Sequence, residues 1–261
     1  MEIESVLEQG SDRIKEARSE LHALLLDNGR IEGFGPGYAA ALFANTAANL
    51  RAVELLIGDG FTSSAAVLLR TVIFGAIRLA WLADADSIDE LEARVVAFQA
   101  SSLDYEAGLF HKARRSGGDP DKIEELLGQV EEAKREIQQW KSEAEAGRRL
   151  VDEIAIAENL NDMGGLITVV AMLDQFVHVN SPAINSALSP DPNAEGALVI
   201  GDRPQPAFVP PMVTAAMQAL AIASESFLRL IEADPNTIEQ VRLAGQQWVK
   251  SAINDAESEE S

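Results

Sequence analysis

Residues 65–83 read AAVLLRTVIFGAIRLAWLA, and no other stretch constrains the fold as much. At 3.6 residues per turn, its apolar side chains wrap the whole circumference of a helix instead of marking one face. Such a helix belongs in the middle of a bundle or in a bilayer, and its length approaches the roughly 20 residues of a span. Arg70 and Arg78 separate the two, because each guanidinium costs about 2.5–3.5 kcal/mol at a bilayer centre. A buried helix of a soluble protein is the lower-energy reading. The first residues, MEIESVLEQG, have neither a basic n-region nor an apolar h-region, so no signal peptide is expected. The expected compartment is the cytoplasm, with no membrane association.

Composition narrows the function classes. The chain lacks cysteine. That excludes disulfide scaffolds, Cys-ligated zinc, iron–sulfur clusters and thiol nucleophiles. Lys and Arg number 21 against 42 Asp and Glu, a formal net charge of -21. Nucleic acid and anionic lipid carry the same sign, so neither is an expected partner.

Apolar spacing and capping signals predict an all-α multi-helix bundle, a single helical domain over residues 1–261. Helices are expected at 3–27, 38–57 and 65–83, the third capped by Thr62, Ser63 or Ser64. The glycine-rich NGRIEGFGPG at 28–37 has no preceding strand and no following Lys-Ser/Thr, so it reads as a connector, not a phosphate cradle. Ser87-Ile-Asp-Glu90 is a capping box that opens a fourth helix running to about Arg115. Asp119 and Pro120 supply the N-cap and first position of a fifth. Further helices are expected at 163–178, at 212–233 and from Pro235, with a short one after Ser181-Pro182. Seven of the ten prolines lie in 182–211, so that stretch is an irregular loop. Within it, residues 197–200 (ALVI) suit one short strand with no sheet to join.

The fifth helix carries a heptad pattern. Ile123, Val130, Ile137, Ala144 and Val151 recur every seven residues, with Leu126, Ala133, Trp140, Gly147 and Ile154 as companions. The fourth helix offers Leu91, Val95, Phe98, Ser102, Tyr105 and Leu109. Together they predict a long antiparallel hairpin over 88–157, a coiled-coil arm, with Trp140 in its seam. Apolar surface left on such a stripe would be covered by a homodimer or a protein partner.

Chemistry is sparsely signalled. His22, His111 and His178 are the only histidines, and none has zincin or di-iron spacing, so no metal and no cofactor is expected. No nucleophile elbow occurs. The residues that stand out are polar ones in apolar helices. Arg70 and Arg78 need a carboxylate or polar network if buried. Glu54, Asn49 and Asn45 on the preceding helix are candidate partners, as is Asp174. His178 ends an apolar helix four residues after Asp174, where a helix C-terminus and a carboxylate favour its charged form. Arg70, Arg78, Asp174, His178, Glu54 and Asn49 therefore form the candidate binding set, read either as a salt-bridge network or as a pocket.

The segment from Ser64 to Leu82 resembles the arginine-bearing helix of the DUF5677-like proteins, an all-helical bacterial family with no assigned activity. Members share a long hairpin after that helix, then a helix ending in a serine four residues before a histidine. Leu173-Asp-Gln-Phe-Val-His178 stands where that motif is expected. Asp174 takes the serine position, and Phe74 stands where an acidic residue often follows the arginine. The resemblance spans about residues 39–180 and implies a helical fold and two candidate residues, but no reaction. Helical HEPN-type ribonucleases carry Arg-x4-6-His on one helix. Here the positions four to six before His178 are Asp174, Leu173 and Met172, and the acidic charge suits RNA poorly.

These features favour a soluble helical interaction or scaffold protein without a recognisable catalytic set. One alternative is a small-ligand binder or acid–base enzyme using the Arg/Asp/His group, so whether the chain is an enzyme stays open. Another is an acidic nucleic-acid mimic, which would show carboxylates in rows at phosphate-like spacing.

Overall fold

The computed structural model describes residues 3–25, 33–141, 153–160, 163–177, 188–190, 198–200 and 206–259. These contain nine α-helices: α1 Ile3–Leu25, α2 Phe34–Gly58, α3 Thr62–Ala83, α4 Ile88–Arg115, α5 Pro120–Lys141, α6 Glu153–Asn159, α7 Gly164–Val177, α8 Val209–Leu230 and α9 Pro235–Glu259. The fold is all-α. The 197–200 expectation needs one correction. Leu198–Ile200 does have a partner: it pairs antiparallel with Leu188–Pro190, Leu188 opposite Ile200. The ladder is three residues long on each side, so it adds no sheet layer. The helix expected after Ser181-Pro182 lies outside the described residues.

The helix that is apolar all round takes the central place. α3 packs against α2, α8, α7 and α6, and buries Leu69, Val72, Ile73, Ile77 and Leu79. Gly75 sets how close α2 can come. A Cβ there would lie 2.2 Å from Thr46 Oγ1, which nothing but a backbone or side-chain shift could relieve. The Thr46 hydroxyl is buried without cost because it donates to the Leu42 carbonyl at 2.8 Å. α8 lies along the other side of α3 with Ala215, Ala216, Ala219 and Ala223 buried, small residues that let helix axes approach. Three segments, Phe34–Gly58, Thr62–Ala83 and Pro206–Leu230, are long and apolar enough to cross a membrane, where the sequence reading singled out one.

Helix ends follow local chemistry with some shifts. α2 starts at Phe34, four residues before the expected position. Gly33, at φ +96°, takes the left-handed turn before it, and Pro36 falls in the first turn where no N–H is needed. α3 is entered from Phe61, not from a hydroxyl cap; Thr62 is already inside and buried. α4 is capped as expected at one end of the box, Ser87 Oγ accepting from the Glu90 N–H at 3.2 Å. The Glu90 carboxylate reaches one residue further out, accepting from the Asp86 N–H at 2.9 Å. Asp119 Oδ1 accepts from the N–H groups of Asp121 and Lys122 at 3.1 and 3.4 Å, opening α5 at Pro120.

α4 and α5 pack against each other, and the pair differs from the expected hairpin in register. α5 is described to Lys141, and the expected stretch from 142 to 152 lies outside the described residues. Residues 153–159 form the separate α6, which packs on α3 and α7. Ala144, Gly147 and Val151 lie outside the described residues, as do the side chains of Ile137 and Trp140. On α5 the pattern holds, with Ile123 and Val130 buried. On α4 it belongs to another neighbour. Leu91, Val95 and Phe98 join the main core, while Ser102, Tyr105 and Leu109 are exposed. The face toward α5 is one residue over: Val96 and Ala107 are buried, and Leu103 and Phe110 half-buried. At about 100° per residue, that second stripe lies a little over a third of a turn around the helix.

Charged residues in the apolar helices

Two of the sequence candidates meet. Arg70 on α3 donates from Nε to Asp174 Oδ1 on α7 at 2.5 Å. Its guanidinium also lies over the Phe74 ring, 4.4 Å from the centroid. Phe74, one turn along the same helix, thus gives Arg70 an aromatic face. Both charged side chains keep about a third of their surface, 30% and 31%, so the pair lies at the edge of the core. His178 lies outside the described residues.

Arg78 takes a different carboxylate. Its Nε donates to Glu153 Oε1 at 2.9 Å and its Nη2 binds the same oxygen, which ties α3 to α6. The guanidinium sits 5.3 Å from the centroid of Phe98 on α4. Phe98 in turn meets Trp81 edge-on, ring centroids 5.0 Å apart. Arg94 finishes this corner. It lies over Trp81, binds Glu90, and donates to the Trp81 carbonyl in the last turn of α3, where helical carbonyls lack partners.

Glu54 and Asn49 do not join Arg70 or Arg78. Glu54, the buried carboxylate of α2, pairs with Arg18 of α1. Asn49 donates to Asn45 Oδ1 at 2.9 Å, along the outside of its own helix. Of the five described candidates, Arg70 and Asp174 share one contact, and Arg78, Glu54 and Asn49 each have another. Sequence reasoning missed Glu153, which it assigned to the heptad helix, and Arg18, whose helix gave no sign of carrying a partner for α2. The signal it could have used was stoichiometric: one carboxylate is needed for each guanidinium in an apolar setting.

Three titrations are displaced by these contacts. Burial pushes the Tyr38 hydroxyl up, and the nearby Arg78 charge draws it partly back. The Asp86 N–H, with Arg94 second, holds the Glu90 carboxyl below its ordinary value. The Asp104 carboxylate across the hairpin, 2.9 Å away, raises Lys134 against some desolvation. Beside Tyr38 a groove of about 510 Å³ runs between α2, α4 and α5, lined by Phe34, Gln99, Leu103 and Glu136 among others. Among the described residues no group of three or more His, Cys, Asp or Glu could hold a metal ion.

No curated protein and no solved structure matches the chain. A family described as of unknown function, DUF5677, matches residues 37–195, from the first turn of α2 through α7 and the Leu188–Pro190 strand. The match covers more than half the chain and includes Arg70, Arg78, Glu153 and Asp174, so the chain belongs to the DUF5677 family.

Proposed function

We propose that this is a soluble, cytoplasmic helical protein that works by protein–protein contact, with the outer half of α4 as its contact surface. The observation that carries the reading is the α4 stripe. Leu91, Val95 and Phe98 are covered by the bundle, but the same face continues through Ser102, Tyr105 and Leu109 uncovered. Tyr105 is 68% exposed and Leu109 43%. An aromatic and a leucine held on a rigid helix cost little entropy to bury, which suits a binding surface. The arginines of α3, by contrast, are occupied by Asp174 and Glu153.

Solubility is argued from the same contacts. The apolar helices bury much of their surface against one another, both guanidiniums of α3 are ion-paired, and the net charge of -21 disfavours self-adhesion and anionic lipid alike. A photoreactive phenylalanine analogue at position 105, expressed in cells, tests the contact. The expected result is an adduct of discrete mass that disappears when Leu109→Glu is added. No adduct, or one equally strong from the exposed Asp121 position on the hairpin, overturns the reading.

A further inference from the structure

Three helices build the groove beside Tyr38, each from residues on one of its faces. α2 gives Phe34 and Tyr38, four residues apart. α4 gives Val96, Gln99 and Leu103, with Ser102 on their flank. α5 gives Glu136, three residues after Ala133. The volume, about 510 Å³, falls within the roughly 300–1,000 Å³ of small-molecule sites. Its polar groups are unused by the fold. The side chains of Tyr38, Gln99, Ser102 and Glu136 make no hydrogen bond or ion pair among the described residues, whereas Lys134, two residues before Glu136, binds both Asp104 and Glu131.

Chemistry selects the occupant. Among the described residues that line the groove, Glu136 alone carries a full charge. It is accompanied by two aromatic side chains, and aromatic faces attract cations. Arg78, whose charge reaches Tyr38, is already held by Glu153. An anion would meet Glu136 and a net charge of -21. A neutral apolar molecule would cover Glu136, Gln99 and Ser102 without giving them partners, which costs free energy. One carboxylate among apolar walls does not hold a metal ion. A second groove, of about 580 Å³ beside Ser87, makes no such choice, because Arg229 lines it together with Asp86, Glu92 and Glu232. We infer that the groove between α2, α4 and α5 binds a small organic cation, a protonated amine on an apolar body, with the ammonium group at Glu136 and the body against Phe34, Tyr38 and Leu103. Ser102 apart, the groove shares no residue with the contact face proposed above, so the two readings fail separately.

Tyr105→Phe leaves Tyr38 as the only tyrosine, so tyrosine labelled with carbon-13 in the ring gives an NMR signal from the groove alone. The labelled full-length protein is titrated at neutral pH with 2-phenylethylamine, 2-phenylethanol or phenylacetate, which share a ring and differ in the charge of the end group. The amine should shift the Tyr38 signal saturably and bind about tenfold more tightly than the alcohol or the acid, the worth of a charge-assisted hydrogen bond. Glu136→Gln should weaken the amine by the same factor of about ten. Glu8→Gln, which removes an exposed carboxylate on α1, should leave its affinity within about twofold, since distant exposed charges are screened. Glu136→Gln behaving like Glu8→Gln would mean attraction to the overall charge and would overturn the site. The alcohol binding as tightly as the amine overturns the choice of a cation, and so does tighter binding of phenylacetate. No saturable shift with any of the three overturns the groove as a binding site.

Discussion

At the scale of single residues, the structure spends its charges on holding apolar helices in register. Arg70, with Asp174 and Phe74, is the clearest instance. Because a third of each charged side chain stays in water, losing one partner should cost about 1–2 kcal/mol, between an exposed pair and a buried one. Tyr38 gives a spectroscopic check on the same neighbourhood. The chain has two tyrosines, Tyr38 and Tyr105, so Tyr105→Phe leaves one. Its ionisation followed at 295 nm should have a midpoint above the ordinary 10.0, since burial favours the neutral phenol. A midpoint at or below 10.0 would mean that the ring is not packed as described. Glu90 tests the α4 cap through pH. Its folded-state pKa is depressed, so it stabilises the fold above the ordinary 4.5 and that contribution is lost as pH falls through the lower folded value. Glu90→Gln should therefore melt lower than wild type at pH 7, with the gap closing in acid; a gap that persists or widens there contradicts the cap. Which guanidinium takes which carboxylate was not legible in the sequence. Glu54 pairs with Arg18, 36 residues away, and Arg78 with Glu153, 75 residues away, and nothing local encodes either choice.

Elements were more legible than their neighbours. Ser87, Asp119 and the Asp234-Pro235 step act within one turn of chain, and α4, α5 and α9 begin where those residues say. Periodicity told that α4 has an apolar stripe, but not what covers it. The helix has two, about a third of a turn apart, and the inner half of the stripe assigned to α5 faces the bundle. Apolar spacing measures a face and carries no label for the partner, which long-range packing supplies. Leucine truncations read this assignment directly. Leu103→Ala, half-buried toward α5, should destabilise by about 1–2 kcal/mol, a fraction of the cost at a fully buried site. Leu109→Ala should stay within about 0.5 kcal/mol, as surface changes do. Urea denaturation of the two variants showing the reverse order would return the seam to its expected register.

At the scale of the whole molecule, one buried helix organises the rest. α3 is apolar on every side, so it needs neighbours on every side, and α2, α8, α7 and α6 supply them. Its two arginines cannot be left unpaired there and are met by α7 and α6. That much follows from residues 65–83 and elementary electrostatics. What does not follow is where the chain meets anything else, because an exposed stripe on α4 is visible only once the bundle has covered the other half. The account therefore divides the molecule into charges that hold the fold and a face that makes contacts. Thermal unfolding of Arg70→Met beside Leu109→Glu and wild type tests that division most directly. Arg70→Met should lower Tm by about 2–8 °C, taking 2–4 °C per kcal/mol for a chain of this size, while Leu109→Glu should leave it within about 1 °C. An unchanged Tm for Arg70→Met would contradict the account, freeing Arg70 and Asp174 from structural duty and making them the first residues to examine for ligand binding.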